Sequence, residues 1–369
     1  MPAMHRAALV AALAATLLAV GPIAHAEAKL RPPRGFFGVM LDRAALRGSA
    51  DEQHAQWALM ARSGVESVRV VFSWAAVQPT PEARDDYSST DMRVASAARH
   101  GVALLPVVLY PPQWARRYPE RESSPPAHAA DYAAFMARLV QRYGPGGTFW
   151  AEHQELRARP VRAWQIWNEP NFDFYWYTPE QGGWAPEYVE LLRQSKLAIE
   201  AVDPRARIVL AGFANASWKV LNAAYRAGAK GAFDVASVNI FTGRPGWVMA
   251  AARLNRGVLK RYHEPRKPIW VTETTFPAAK GRVPPPMALW QRRWYTTERG
   301  MARRLTELYA LGAKNARRLR LQRIYWYTWA SSYSGADDLF DYSGLIRVTP
   351  DGAAEPQAAL RAFRRSARR

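Results

Sequence analysis

Eight short apolar segments alternate with eight helical stretches along this 369-residue chain, and the alternation constrains the fold more than any other feature. The strand-like segments lie at 35–40, 67–72, 102–109, 161–169, 208–212, 233–240, 268–274 and 324–329. The helical stretches cover about 51–62, 89–100, 132–143, 187–202, 218–227, 248–262, 287–311 and 356–365. Strands that alternate with helices form parallel βαβ units, and eight such units predict a closed (β/α)8 TIM barrel of the α/β class.

The main competitor is a doubly wound open sheet. A nucleotide-binding sheet of that kind carries a Gly-rich phosphate loop after its first strand, and none is present here. The chain is long enough for one large domain or two small ones. No composition break or flexible linker divides it, so we predict a single catalytic domain over residues 27–369.

The first 26 residues have the features of a secretory signal peptide. His5 and Arg6 give a polar, positive start, residues 7–20 are apolar, and Ala24-His25-Ala26 fits a cleavage site after Ala26. The alternative is a membrane-spanning helix, but the apolar run is shorter than the roughly 20 residues that a bilayer requires. The sequence therefore predicts a secreted, periplasmic or envelope-associated protein with no transmembrane segment in its mature part. The absence of Cys is compatible with export.

The formal net charge is +20 and arginine dominates it. Basic residues crowd at 314–323 and 361–369. One interpretation is a solvated, Arg-rich surface; the other is affinity for an anionic glycan or the cell envelope. Specific nucleic-acid binding is less favoured, because no recognised binding motif accompanies the charge.

The fourth apolar segment ends in Trp-Asn-Glu-Pro. Pro170 has no N–H for a sheet ladder, so we expect it to end the strand and to leave Asn168 and Glu169 at the carboxyl end. Barrel enzymes build their active sites there. Trp164 and Trp167 flank the acid, and desolvation by the indoles would raise its pKa and suit it to general acid catalysis.

A second carboxyl group lies at the end of the seventh apolar segment, where Glu273 follows Trp-Val-Thr. Retaining hydrolysis of a glycosidic bond needs two carboxyl groups roughly 5–5.5 Å apart. The fourth and seventh strands face each other across a barrel, so Glu169 and Glu273 could share one sugar. A lone glutamate at a strand end is usually solvated or ion-paired, so the pair carries the prediction.

These motifs resemble those of the clan A glycoside hydrolases, which are retaining (β/α)8-barrel enzymes. Tyr-Gly-Pro-Gly-Gly-Thr-Phe-Trp and Trp-Gln-Ile-Trp-Asn-Glu-Pro-Asn are most similar to family 39 and its bacterial relatives, and next to the cellulase-like family 5. The resemblance covers nearly the whole mature chain in strand order. It implies that Glu169 is the acid/base, that Glu273 is the nucleophile and that Asn168 binds the sugar 2-hydroxyl.

The same resemblance assigns further residues. Arg69, in Ser-Val-Arg-Val-Val-Phe-Ser-Trp, would bond the nucleophile and keep it ionised; alternatively it is a structural ion-pair partner. Trp114 would stand by the cleft and Trp329 would form the floor under the sugar, or both belong to the core. The aromatic loop 172–177, which contains Trp176, could form outer subsites or a small satellite core.

The sixth strand departs from the family pattern. Clan members commonly carry His-x-Tyr at its exit, whereas this chain has Asn239 and Phe241. Asn239 can still bond a sugar or a carboxylate, but Phe241 lacks the hydroxyl that usually steadies the nucleophile. Tyr325 and Tyr327 are candidates to replace it.

No metal or cofactor site is expected. The seven His are scattered, and His263-Glu264 lacks the second His of a zinc-binding helix. No Gly-x-Ser-x-Gly nucleophile motif occurs either. The sequence thus predicts an exported, retaining O-glycoside hydrolase that acts on a poly- or oligosaccharide by double displacement. The alternatives are a non-catalytic barrel that binds glycan or cell envelope, and a transglycosylase with the same residues.

Overall fold

The computed structural model describes residues 32–46, 48–179, 183–214, 216–283, 291–333 and 338–368. The predicted signal peptide, residues 1–26, lies outside these ranges. The described residues belong to one compact unit, Arg31–Arg369.

Nine parallel strand segments form the central sheet. They are β1 Phe37–Leu41, β2 Ser67–Ser73, β3 Ala103–Leu109, β4 Ala163–Ile166, β5a Arg207–Val209, β5b Phe213–Ala214, β6 Ala236–Asn239, β7 Ile269–Thr274 and β8 Leu321–Trp326. Segments β5a and β5b are two parts of one barrel strand. β8 pairs with β1, and a bridge between Val209 and Val235 joins β5a to the residue before β6. The sheet therefore closes on itself, and the predicted (β/α)8 barrel is confirmed.

Ten α-helices surround the barrel within the described ranges. They are α1 Ala50–Arg62, α2 Trp74–Val77, α3 Ser88–His100, α4 Ala129–Tyr143, α5 Thr148–Glu152, α6 Trp184–Val202, α7 Ser217–Arg226, α8 Pro245–Arg261, α9 Glu298–Leu319 and α10 Ala358–Ala367. Short 3-10 turns lie at Arg43–Leu46, Gln113–Ala115, Gln291–Arg293 and Leu339–Tyr342. None of the described helices is long and apolar enough to cross a membrane.

The start of α9 differs from the prediction. The sequence pattern places a helix over about 287–311, but the helix begins at Glu298 and continues to Leu319. The hydroxyl of Thr297 accepts a hydrogen bond from the Gly300 amide, so Thr297 caps the first turn. The part of the predicted helix at 287–290 lies outside the described residues.

Strand β4 alternates between the barrel interior and the helix layer. Ala163 belongs to a small cluster that fills the interior, whereas Trp164 and Ile166 pack in the large core between sheet and helices. Gln165, which lies between them, points inward as the period of two requires. Trp164 therefore does not flank Glu169, and the expectation of a carboxyl group between two indoles is wrong.

A small second sheet follows the barrel. Its strands are β9 Ala330–Ser331, β10 Ile346–Val348 and β11 Ala354–Pro356. Helix α10 then packs along α9, where Phe363 contacts Phe37 of β1 and Tyr309 of α9.

Candidate active site

A sharp turn after β4 positions the first candidate acid. The strand ends at Ile166, three residues before the predicted end at Glu169. Trp167 and Glu169 have φ angles of 68° and 42°, a left-handed backbone that is uncommon for side-chain-bearing residues. The Trp167 indole donates to the Tyr175 carbonyl at 2.8 Å and fixes the turn. The turn, and not Pro170, ends the strand, and it directs Asn168 and Glu169 toward the barrel mouth.

Arg69 ties the second candidate acid to the turn. It is fully buried on β2, and its Nη1 donates to Glu273 Oε1 at 2.6 Å. The other nitrogens of the same guanidinium donate to Asn168 Oδ1 at 2.8 Å and to Gln165 Oε1 at 2.6 Å. One side chain therefore links β2, β4, β7 and the turn after β4.

Asn239, at the end of β6, completes the network. Its Nδ2 donates to Glu169 Oε1 at 2.7 Å and lies 3.2 Å from Asn168 Oδ1. Its Oδ1 accepts from the Thr272 hydroxyl at 2.7 Å, so the amide nitrogen faces Glu169. Five residues that the sequence predicted separately thus come together in one buried cluster: Arg69, Asn168, Glu169, Asn239 and Glu273.

The two carboxyl groups differ in their partners. Burial, and then the negative charge of Glu273, raises the pKa of Glu169 to about 8, against weaker opposition from Asn239 and Arg69. Burial also raises the pKa of Glu273, but the charge and the hydrogen bond of Arg69 oppose it. Because Arg69 bonds Glu273 directly, the pair is most stable with Glu273 ionised and Glu169 protonated.

Sequence reasoning missed the support beneath this cluster. Gln165 Nε2 donates to the Ser237 hydroxyl at 3.1 Å and to the Leu210 carbonyl at 3.2 Å, which orients the oxygen that accepts from Arg69. Gly212 makes room for Asn239, since a Cβ there would lie 2.4 Å from Asn239 Oδ1. The signal for Gln165 was available: a polar side chain at an inward position of an apolar strand needs partners.

Tyr175, from the aromatic loop after β4, also lies near both acids. Burial and the negative charges of Glu273 and Glu169 raise the pKa of its phenol well above the ordinary value. Phe241, which replaces the tyrosine of the family pattern, packs against Phe340 and Tyr327. The phenol near the two acids is that of Tyr175, which follows β4 and not β6.

The two tyrosines considered as replacements for the missing hydroxyl have other partners. Tyr325 lies inside the barrel, and its hydroxyl accepts from Arg323 at 3.0 Å. The hydroxyl of Tyr327 donates to Asp42 at 2.8 Å. The negative charge of Asp42 is among the influences that raise the pKa of Glu273, so Tyr327 is linked to the site through Asp42.

The three predicted tryptophans lie outside the cluster. Trp114 is half-buried on the turn after β3 and packs edge-on against Trp74. Trp176 and Trp329 are 2% and 0% exposed, and neither indole N–H has a hydrogen-bond partner among the described residues. Roles for these three rings in substrate binding remain predictions.

A cavity of about 830 Å³ lies beside the end of β8. Tyr327 and Thr328 form part of its wall, and its charged lining residues are Glu52, Asp338, Asp341, Arg347 and Asp351. None of the five residues of the cluster is among its lining residues. Across the described ranges, no group of three or more His, Asp or Glu side chains is arranged to hold a metal ion.

Comparison with protein-family models gives no match, and comparison with curated protein sequences gives none either. Solved structures do match. A family 39 glycoside hydrolase from Bacteroides cellulosilyticus WH2 is 18% identical, with a TM-score of 0.62 over 92% of this chain and 64% of that one. The chain thus spans less than two thirds of the length of the Bacteroides enzyme.

Two further solved structures of glycoside hydrolases also match this fold. A GH39 β-xylosidase from Caulobacter crescentus is 17% identical, with a TM-score of 0.59 over 90% of this chain and 72% of that one. A family 1 β-glucosidase from Thermotoga maritima is 10% identical, with a TM-score of 0.59 over 86% and 85%. The resemblance to clan A enzymes, with family 39 among the neighbours, is therefore confirmed for the fold: this chain has the (β/α)8 barrel of those glycoside hydrolases.

Proposed function

We propose that the protein is a retaining O-glycoside hydrolase that acts on a poly- or oligosaccharide. The observation that carries the proposal is that the two acids have different partners. Glu273 accepts a hydrogen bond from the cation Arg69 at 2.6 Å, whereas Glu169 accepts one from the neutral amide of Asn239. A retaining enzyme needs one ionised and one protonated carboxyl group at the same site. The buried pair meets that need.

In the first step, Glu169 gives its proton to the glycosidic oxygen as the bond from that oxygen to the anomeric carbon breaks. The Glu273 carboxylate attacks the anomeric carbon and forms a glycosyl ester. In the second step, Glu169, now ionised, takes a proton from water. The water oxygen bonds the anomeric carbon and the ester bond breaks, which restores Glu273 as a carboxylate.

The remaining residues of the cluster have supporting roles. Arg69 stabilises the charge on Glu273 before attack and after release. Asn239 bonds Glu169, and this contact favours the carboxylate form that acts as base in the second step. The side-chain oxygen of Asn168 accepts a hydrogen bond from Arg69, so the amide nitrogen faces away from Arg69 and could donate to a sugar hydroxyl.

The test is covalent trapping with 2-deoxy-2-fluoro glycosyl fluorides of several sugars, followed by digestion and mass spectrometry. A label on the Glu273 peptide would support the assignment and reveal the sugar. A label on another carboxylate would overturn it. No label and no turnover, with glycan still bound, would favour a non-catalytic binding barrel.

A matched set of variants separates the two acids. Glu273→Gln should abolish both labelling and hydrolysis. Glu169→Ala should still be labelled by substrates with good leaving groups, and azide should restore its turnover because the small anion can replace water without a base. Glu307→Gln, an exposed glutamate on α9, is the control and should behave as the wild type.

Export is part of the same proposal, and it rests on the apolar N-terminal segment. Mass spectrometry of the protein recovered from outside the cytoplasm should find a mature N-terminus at Glu27. An intact Met1 in that fraction would contradict cleavage.

A further inference from the structure

Exposed arginines cluster at the end of the barrel opposite the candidate active site. Parallel strands all begin at one end, and the connections that lead into them lie there, whereas Glu169 and Glu273 lie at the strands' carboxyl ends. Six exposed arginines lie either in these connections or in the last turn of the helix that leads into one: Arg62, Arg99, Arg157, Arg205, Arg266 and Arg317. We call this surface the strand-entry face.

Helix α10 adds to the same face. Arg364 donates to the Ser63 hydroxyl at 3.0 Å, and Ser63 caps the carboxyl end of α1 just before β2. The end of α10, with exposed Arg365 and Arg368, therefore lies beside the strand entrances. The basic residues at the end of α10 and those at the end of α9 therefore lie at the same end of the barrel.

The positive charge of this face is only partly neutralised within the described part of the chain. Asp203 pairs with Arg162 at 3.4 Å and Glu264 with Lys267 at 3.2 Å. Glu66 and Glu155 are exposed on the same face, and a backbone hydrogen bond and, more weakly, the charge of Arg99 lower the pKa of Glu155. No described carboxylate lies within 4.0 Å of the guanidinium groups of the six arginines named above. At the cleft end, by contrast, Arg117 pairs with Glu187 and Arg282 with Glu298.

The shape and chemistry of the face indicate a particular partner. The arginines are spread over a broad end of the barrel and not along a groove, which suits a flat surface better than a single polymer chain. The exposed large apolar residues among those described are Met92, Phe174, Leu197, Trp247 and Leu254. None of them lies in a connection that enters a strand, so this face presents no exposed large apolar side chain among the described residues.

We propose that the strand-entry face docks on an anionic phospholipid surface and leaves the cleft directed away from it. Guanidinium groups bond phosphate oxygens in pairs, which suits them to lipid headgroups. Without apolar side chains to insert, the attachment is electrostatic and reversible, and salt weakens it. This inference does not depend on the proposed glycosidase activity.

The test is co-sedimentation of the purified protein with vesicles at low ionic strength. We expect binding to vesicles that contain phosphatidylglycerol, no binding to pure phosphatidylcholine, and release by added salt. Absence of binding to the phosphatidylglycerol vesicles would overturn the proposal. So would binding to a soluble anionic polysaccharide with no binding to the vesicles.

Charge variants locate the face. Arg157→Gln, Arg205→Gln, Arg266→Gln and Arg365→Gln combined should weaken vesicle binding by at least about 100-fold, since each basic side chain near a membrane contributes roughly fivefold. The matched control combines Lys219→Gln, Arg253→Gln, Arg299→Gln and Arg303→Gln, which remove the same charge from exposed positions elsewhere. It should retain most of the binding. Equal losses in the two variants would mean that net charge alone acts, and would refute a specific face.

Discussion

Arg69 determines how the two carboxyl groups of the site differ. Its three oxygen acceptors come from Glu273, Asn168 and Gln165, so a single planar guanidinium sets the charge of the nucleophile and the position of the turn after β4. Lysine could supply the charge but not the rigid fork of donors. The chemistry of the site is therefore expected to depend on this side chain as much as on the acids themselves.

The pH dependence of the reaction should follow from Glu169. The group must be protonated to assist departure of the leaving group, so kcat/KM should fall as pH rises through about 8, the pKa of Glu169. In Glu169→Gln that limb should disappear, and activity should survive only on aryl glycosides with good leaving groups. Initial rates across the pH range would measure both effects. An unchanged alkaline limb in the variant would assign it to another group.

The acidic limb should report Glu273, which must be ionised to attack. Arg69 opposes the effect of burial on the pKa of Glu273, so Arg69→Met should raise that pKa further and move the acidic limb to higher pH. We expect kcat at neutral pH to fall by about 100-fold or more, because the lost bond joins two charged groups. The pH–rate profile of the folded variant would show the shift. A limb that moves to lower pH would contradict the assignment.

Gly212 is expected to support activity although it has no side chain that could take part in the reaction. In Gly212→Ala the new methyl group would lie 2.4 Å from Asn239 Oδ1, so the amide must move and its bond to Glu169 is lost. We expect kcat to fall by roughly 10- to 100-fold, the range for a hydrogen bond to a charged group. Gly257→Ala, in an open part of α8, is the control and should keep full activity. Equal activity of the two variants would refute the steric argument.

At the scale of elements, the barrel was predictable because each strand is a short apolar run between helices. Helix α4 covers the predicted helical stretch at 132–143 and buries one apolar stripe, formed by Tyr132, Phe135, Met136, Leu139, Val140 and Tyr143. The exit of β4 was not predictable, because the left-handed turn at Trp167 depends on a bond to Tyr175, eight residues further along the chain. Nor was the break between β5a and β5b, where the Leu210 carbonyl accepts from Gln165 and Ser237 on neighbouring strands.

Helix α10 should contribute to stability and not to catalysis. Phe363 is fully buried, with its ring 6.1 Å from Phe37 and 5.4 Å from Tyr309. Phe363→Ala should lower the free energy of unfolding by about 3–5 kcal/mol, the usual cost of deleting a buried aromatic ring. Urea unfolding would measure the loss, with exposed Arg361→Ala as the control on the same helix. A loss below about 1 kcal/mol would mean that α10 is weakly attached.

At the scale of the whole molecule, the two ends of the barrel have different electrostatic requirements. The cleft end buries two carboxyl groups with one arginine, whereas the strand-entry face exposes six arginines that have no carboxylate within 4.0 Å among the described residues. Both arrangements work against folding stability: the first by desolvating charge, the second by repulsion between like charges. We therefore expect both arrangements to serve a function. The burial of the two carboxyl groups should make the free energy of unfolding depend on pH.

The contribution of Glu169 to the stability of the folded chain should decrease as pH rises. The pKa of Glu169 is about 8 in the folded protein against an ordinary value of 4.5, so between these values the folded chain holds a proton that the unfolded chain has lost. The contribution of this group to stability is therefore full below about pH 4.5 and is lost as pH rises through about 8. Glu169→Gln mimics the protonated form and should match the wild type in acid. It should melt at a higher temperature than the wild type in mild alkali. Thermal melts at a series of pH values would show the difference growing with pH. A Glu169→Gln difference that does not grow with pH would mean that Glu169 does not hold the buried proton.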